Sequence, residues 1–430
     1  MESLATPAWV TPSVNRAMDL WALSAGAWSG TGPVYTPPQQ KQREKAYDRA
    51  IDGVRRTCRK RAPDAEDRLT RSFAQFGAEA LDLGPDAVDL LTHGFLPVGK
   101  SLARWAHRFD PTLSQADITQ AARNAWTACG MQPLFGAPMR LTPSILGYSL
   151  LYPYSDNYLD QCAVTRDDKV RFNRRFRARL RGDALRAANP HELSVWEMVG
   201  LIESEFPRRL FPFVFDALLA IHAAQEESMR QLDERGRMDV SELLRISCAK
   251  GGSSVLADAF LVRGTLNAEE SEFAFLWGVL LQLGDDLQDI HEDLARGSDT
   301  LFIRAIRAGR PLDPLIEQLL NFSEMAGARM DALPHGSATQ KSLLRMSWRS
   351  LILMAVAQAP TCFTPAFLQR MDSHSPFRFH FLRKRKEKLA SDRGLFNRIF
   401  DILLKSDDHT ASHLPNPMHP MRNPTHVLCS

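Results

Sequence analysis

Residues 273–293 read Phe273-Ala-Phe-Leu-Trp277-Gly-Val-Leu-Leu-Gln282-Leu-Gly-Asp285-Asp286-Leu-Gln-Asp289-Ile-His-Glu-Asp293. The first half is almost unbroken apolar sequence, with large side chains recurring at i, i+3 and i+4, the spacing of one helix face. The second half carries Asp285, Asp289 and Asp293 at i, i+4 and i+8, so one helix stacks three carboxylates in a column. Like charges four apart destabilise an isolated helix by about 0.2–0.5 kcal/mol per pair. Such a column at the end of an apolar helix therefore calls for a compensating cation.

A second acidic station lies upstream. Tyr152-Pro-Tyr-Ser-Asp156-Asn157-Tyr-Leu-Asp160 puts Asp156 and Asp160 on one helix face. Asp285 follows Asp156 by 129 residues. Taken singly, each station also reads as a solvated acidic helix face. Together they suit hard divalent cations, because Mg²⁺ takes one or two carboxylates and completes its shell with phosphate and water.

The surrounding chain is helical throughout. Segments 39–60, 66–81, 86–105, 115–129, 144–163, 168–185, 208–235, 240–261 and 269–295 share the helical period, and Pro, Gly or Asp punctuates the breaks. Alternating strand patterns are missing, and no repeat indicates a solenoid. The chain has 430 residues, 44% apolar and 24% charged, enough apolar material for a large core. Its 53 basic and 50 acidic residues leave a net charge of +3, which argues against whole-chain attraction to nucleic acid. No secretory leader or membrane span is read, and the six cysteines are isolated, so free thiols in a reducing cytoplasm are expected. The expected organisation is an irregular segment 1–37, one all-α body over 38–370, and a basic helix with a disordered tail over 371–430.

The two stations resemble the metal-binding motifs of class I isoprenoid synthases. Asp-Asn-Tyr-Leu-Asp160 is similar to the first aspartate-rich motif, with Asn157 in its second position. Gln282-Leu-Gly-Asp-Asp-Leu-Gln-Asp289 resembles the second motif of trans-prenyltransferases, and Asp285, Asp289 and Asp293 overlay the ladder of terpene cyclases. Glu292-Asp293-Leu-Ala-Arg296-Gly297 is similar to a run in the squalene/phytoene synthase branch. The resemblance covers residues 85–360. It implies an all-α bundle around a central apolar pocket and a Mg²⁺-dependent ionisation of a prenyl diphosphate, with three ions. Asp156, Asp160, Asp285, Asp286, Asp289 and Asp293 would be the metal ligands, and Asp156, Asp160, Asp285 and Asp289 the catalytic set.

The resemblance assigns diphosphate and substrate contacts to Arg166, Lys250, Ser253 and Gln282, and pocket walls to Tyr148, Tyr152 and Trp277. Arg166 stands where prenyltransferases carry an arginine pair, here half missing as Thr165-Arg166. Seven further arginines between Arg171 and Arg186 read mostly as a solvated face. Lys250-Gly251-Gly252-Ser253-Ser254 predicts a break or kink, because two glycines cost a helix interior about 2 kcal/mol. Gly99-Lys100-Ser101 with Arg104 weakly resembles the element that grips the partner diphosphate. With these elements incomplete, a terpene cyclase leads; chain elongation and head-to-head condensation stand as alternatives, and a non-catalytic protein keeping the fold is a rival. Beyond the prenyl diphosphate, a homodimer and a membrane contact through the basic run Phe377–Lys386 are expected candidates.

Overall fold

A computed structural model describes residues 7, 9–60, 64–160, 164–233, 236–391, 393–405 and 414–416. Among them every regular element is helical and no strand occurs, as the periodicity predicts. The chain opens with α1 (Val10–Leu23), α2 (Pro37–Lys60), α3 (Ala65–Gln75), α4 (Pro85–Asp89) and α5 (Leu96–Phe109). The central body follows as α6 (Gln115–Met131), α7 (Pro143–Asp160), α8 (Arg166–Arg181), α9 (Pro190–Glu205), α10 (Pro212–Ser228), α11 (Arg230–Asp233), α12 (Val240–Arg263), α13 (Ala268–Gln288), α14 (Ile290–Arg296) and α15 (Leu301–Arg307). It closes with α16 (Asp313–Ala332), α17 (Ala338–Gln358), α18 (Pro365–Ser373), α19 (Phe379–Ser391) and α20 (Arg393–Lys405).

Local chemistry sets the helix limits. Ser114 and Asn267 form capping boxes at α6 and α13, and Thr165, Asn189 and Asp239 cap α8, α9 and α12. Gly182, Gly264 and Gly297 end α8, α12 and α14 in the left-handed conformation that suits glycine.

Two expectations are corrected. The segment before residue 38 is not wholly irregular, because α1 buries Val10, Val14, Ala17, Leu20 and Trp21 at helical spacing. The prolines and glycines that suggest irregularity cluster after it. The expected break at Gly251-Gly252 is also absent, and α12 runs through it. A Cβ at Gly251 would lie 2.4 Å from the Gly278 carbonyl oxygen, one at Gly278 2.1 Å from the Gly251 oxygen, and one at Gly252 2.3 Å from the Phe275 ring. The glycines let α12 and α13 meet backbone to backbone, and the packing gained offsets their poor helix propensity.

Register places the ends of these helices together. Asn124 Nδ2 on α6 donates to Ser149 Oγ on α7 at 3.2 Å, while Tyr154 OH donates to Asp110, just before α6, at 2.9 Å. α6 and α7 are therefore antiparallel. Arg123 meets Asp285 while Gly130 faces the Trp277 ring, so α13 also opposes α6. α12 runs with α6, as the Asn124–Asp258 and Arg263–Phe135 contacts show. α10 opposes α12, with Phe213 against Phe260 and Arg245 paired to Glu227. The C-terminal ends of α7, α10 and α13 thus share one end of the bundle with the N-terminal end of α12.

The C-terminal basic run belongs to this body. Phe377, Phe379 and Phe381 are buried, and Arg378 and Arg385 pair with Glu44 and Asp48 of α2. Leu414 is buried, and the Pro415 carbonyl accepts a hydrogen bond from Trp105 Nε1 at 2.7 Å. The remainder of the expected tail lies outside the described residues. Among the described residues no helix is long and apolar enough to cross a membrane.

Candidate active site

The acidic column forms at the C-terminal end of α13. α13 gives way to α14 at Asp289, yet the Asp289 N–H still donates to the Asp285 carbonyl at 2.9 Å and the Asp293 N–H to the Asp289 carbonyl at 2.8 Å. Asp285, Asp289 and Asp293 therefore keep their helical succession. Arg123 Nη2 reaches Asp285 Oδ1 at 3.1 Å from α6. Asp286 turns away into the α12 contact, where it accepts from Ser247 Oγ at 2.9 Å and from Gln282 Nε2 at 2.7 Å.

The carboxylates outnumber the positive charges beside them. Desolvation and the nearby charges of Asp286 and Asp289 push Asp293 up to about 6. Desolvation, followed by the charges of Asp285 and Glu292, raises Asp289 as well. Burial raises Asp286 to about 6 against its two hydrogen bonds and the Lys250 charge. Desolvation by the surrounding helices also raises Asp285, outweighing Arg123 and Lys250. Lys250 is half-buried on α12, and its positive charge opposes the upward shift of Asp285, Asp286 and Asp293.

α7 brings the other station to the same level. Tyr148 OH on α7 donates to the Ser254 carbonyl on α12 at 3.3 Å. Eight residues of helix, about 12 Å of rise, lead from Tyr148 to position 156. The same climb along antiparallel α12 leads from Ser254 to Ile246, next to the Ser247 that holds Asp286. The backbone of α7 thus carries positions 156 and 160 to the height of the acidic column. The side chains of Tyr152, Asp156, Asn157 and Asp160 are outside those described.

Beneath this level α6, α7, α8, α10 and α12 surround a cavity of about 40 Å³. Leu151, Phe176, Leu180, Leu218 and Ile221 form its apolar wall, and Asn124, Tyr148, Ser155, His222, Gln225 and Ser254 complete it. Two of these residues tie it to the acidic end, since Asn124 adjoins Arg123 and Ser254 lies one turn below Lys250. The cavity is smaller than the roughly 300–1,000 Å³ that small-molecule sites span.

The other expected residues divide. Tyr148 lines the cavity. Trp277 does not: it is 3% exposed and packs on Phe273 and Trp348, so its place is in the core rather than the pocket wall. Ser253 is fully buried with its hydroxyl unpartnered, while its neighbour Ser254 reaches the wall. Gln282 orients Asp286. Arg166 is exposed at the N-terminal end of α8. Several of the arginines that follow are engaged elsewhere: Arg175 with Glu192, Arg179 with Glu203 and Arg171 with Asp168. Lys100 and Arg104 both pair with Glu66.

Sequence reading misses Arg123, Asn124, Ser247, His222 and Asp258. Asp258 is wholly buried on α12, accepts from Asn124 Nδ2 at 3.0 Å and is held well above the usual carboxylate range by burial. None of these residues sits in a local motif, and only the register of α6, α10 and α12 against α7 and α13 brings them to the site.

Among the described residues no three His, Cys, Asp or Glu side chains converge as a ready-made metal cage. Mg²⁺ does not need one when phosphate and water supply the other ligands. The donor set is all oxygen, and the mutual repulsion along the column is what a bound cation relieves. In these respects the residues fit Mg²⁺. Comparison with protein-family profiles, curated proteins and solved structures finds no match to this chain.

Proposed function

We propose that the protein is a class I terpene synthase that ionises a prenyl diphosphate and cyclises or couples the allylic cation. The observation that carries this reading is the Asp285–Asp289–Asp293 column, flanked by Lys250 and Arg123, at the height of positions 156 and 160 of α7. Asp285, Asp289 and Asp293 on one side and Asp156 and Asp160 on the other would hold Mg²⁺. When bound, the ions supply Lewis-acid neutralisation of the leaving diphosphate. Lys250, Arg123 and Arg166 add positive charge around the same group. The cavity walls below exclude bulk water from the hydrocarbon end.

Cyclisation is favoured over chain elongation by one arrangement. Elongation needs a second diphosphate grip, and Lys100 and Arg104, the residues that resemble one, are both engaged by Glu66. The test is purified protein with Mg²⁺ and prenyl diphosphates of increasing length, with and without isopentenyl diphosphate. Diphosphate release from a single allylic substrate is expected. Turnover only with isopentenyl diphosphate would transfer the reading to elongation, and no release from any substrate would remove it.

A further inference from the structure

A groove of about 240 Å³ lies between α2 and α19, outside the proposed active site. Arg55, Arg385 and Lys388 bring positive charge to its wall, Asp48 and Asp52 bring negative charge, and Tyr47 brings a phenol. The pairing of the two helices builds it. Glu44 pairs with Arg378 and Asp48 with Arg385, so α2 and α19 run side by side in one direction. The Tyr47 ring meets Phe76, Phe377 and Phe381 edge-on at 5.7, 5.8 and 5.5 Å, and the Arg385 guanidinium lies over the Phe381 ring at 4.9 Å. These contacts fix the groove wall before any ligand arrives. Leu395 of α20 packs with Val54 and Cys58 of α2, which adds a third helix to the same face.

The surroundings are strongly basic. α2, α19 and α20 together carry sixteen Lys/Arg against five Asp/Glu, an excess of eleven in a chain whose total is +3. Lys45, Arg56 and Arg59 on α2, Lys384 on α19 and Arg398 on α20 are exposed. Charge of one sign at this density repels itself, and a bound anion relieves the repulsion. Inside the groove the aspartates orient the guanidinium groups rather than remove them. Arg385 pairs with Asp48, and Arg55 Nη1 stands 3.6 Å from Asp52 Oδ1. A guanidinium carries five N–H donors and a carboxylate takes two at most, so such a pair keeps the planar fork that suits phosphate. The Asp52 side chain is 60% exposed, a carboxylate within reach of hydroxyl donors on a ligand.

We infer that this groove binds the phosphate ester of a polyol. Arg55, Arg385 and Lys388 hold the phosphate, and Asp52 accepts from the hydroxyl groups beside it. The inference goes beyond the synthase reading and does not depend on it. The same chemistry comes from two sources, a free ester such as glycerol 3-phosphate and the phosphoglycerol headgroup of an anionic lipid.

The experiment uses the full chain at low salt with a metal chelator, so that no cation bridges phosphate to the acidic column. Isothermal titration calorimetry with glycerol 3-phosphate and with inorganic phosphate reads the free source. Co-flotation with phosphatidylcholine vesicles, with and without phosphatidylglycerol, reads the lipid source. Saturable binding is expected in at least one arm, and the arm that shows it identifies the source. The double variant Arg55→Gln/Lys388→Gln should weaken that binding by at least about tenfold, the scale of one lost charge-assisted hydrogen bond. Lys388→Gln alone, a change at an exposed side chain, serves if the double variant does not fold. Lys45→Gln, exposed on α2 outside the groove, should change binding by less than about twofold, since an exposed charge acts weakly through solvent. Where the free ester binds, Asp52→Asn should weaken glycerol 3-phosphate but not inorganic phosphate, a split that a change in net charge alone does not give. No binding in either arm would overturn the inference. So would equal losses in the groove and Lys45→Gln variants, which would mark a diffuse basic surface, or binding of duplex DNA in place of both probes. None of these results bears on diphosphate release at the acidic column.

Discussion

Asp286 shows how one carboxylate is held against its own preference for water. It is 8% exposed, and its two hydrogen bonds do not offset the lost hydration, so it titrates near 6. A folded-state value above the unfolded one means that the native state binds the extra proton. The group's contribution to stability is therefore full below about pH 4 and is lost as pH rises through about 6. From the ordinary value of 3.8 to about 6 the loss is on the order of 3 kcal/mol. Asp286→Asn should stabilise the metal-free protein by about 1–3 kcal/mol at pH 8 and by little at pH 4. Urea denaturation at both values reads this, and equal destabilisation at both would refute it. Asp285 is a different case, since its carboxylate is only partly buried and is paired with Arg123. Asp285→Ala and Asp156→Ala should each lower Mg²⁺-dependent diphosphate release by at least about a hundredfold. Full activity in either variant contradicts the ligand assignment.

At the scale of elements, the α12–α13 contact is decided by glycine. Gly278→Ala would drive a methyl group into the Gly251 carbonyl, which cannot swing aside as a side chain can. We expect a loss of about 1–3 kcal/mol or more by chemical denaturation. Gly200→Ala on α9 is the matched control, because nothing lies within 4 Å of its added methyl. There the better helix propensity should stabilise the protein by up to about 1 kcal/mol. Similar losses at both positions would show that backbone contact between α12 and α13 is not the reason for the glycines. This contact also marks the limit of what the sequence reveals. Helices such as α6 and α13 are legible because their caps and apolar periods are local. The continuity of α12 is not, because the two glycines read as a break until the partner helix is in place. For a related reason α1 is hidden by the prolines and glycines that follow it. The acidic column is legible because its members share one helical run. Arg123 and His222 are not, since each is an ordinary residue of its own helix and meets the site only through register.

At the scale of the molecule, the helix directions gather charge of both signs at one end. α13 and α14 supply Asp285, Asp289 and Asp293, α12 supplies Lys250, and α6 supplies Arg123, while further along α13 the core closes around Trp277, Phe273 and Trp348. A near-neutral chain therefore holds an unbalanced, dipolar end. On the proposed reading, Mg²⁺ alone would leave Lys250 without an anion and diphosphate alone would meet the carboxylates unshielded, whereas the two together would satisfy both. The melting temperature should consequently rise more with Mg²⁺ and inorganic diphosphate combined than by the sum of the two separate shifts. A ligand present at a hundredfold over its Kd adds about 2.7 kcal/mol to stability. The combined shift should be lost in Asp285→Ala and weakened in Lys250→Ala, and it should decline below about pH 6, where Asp293 takes up its proton. If Mg²⁺ and diphosphate together leave the melting temperature where either alone leaves it, the acidic column is a structural feature of its helix and not a seat for a metal–diphosphate pair.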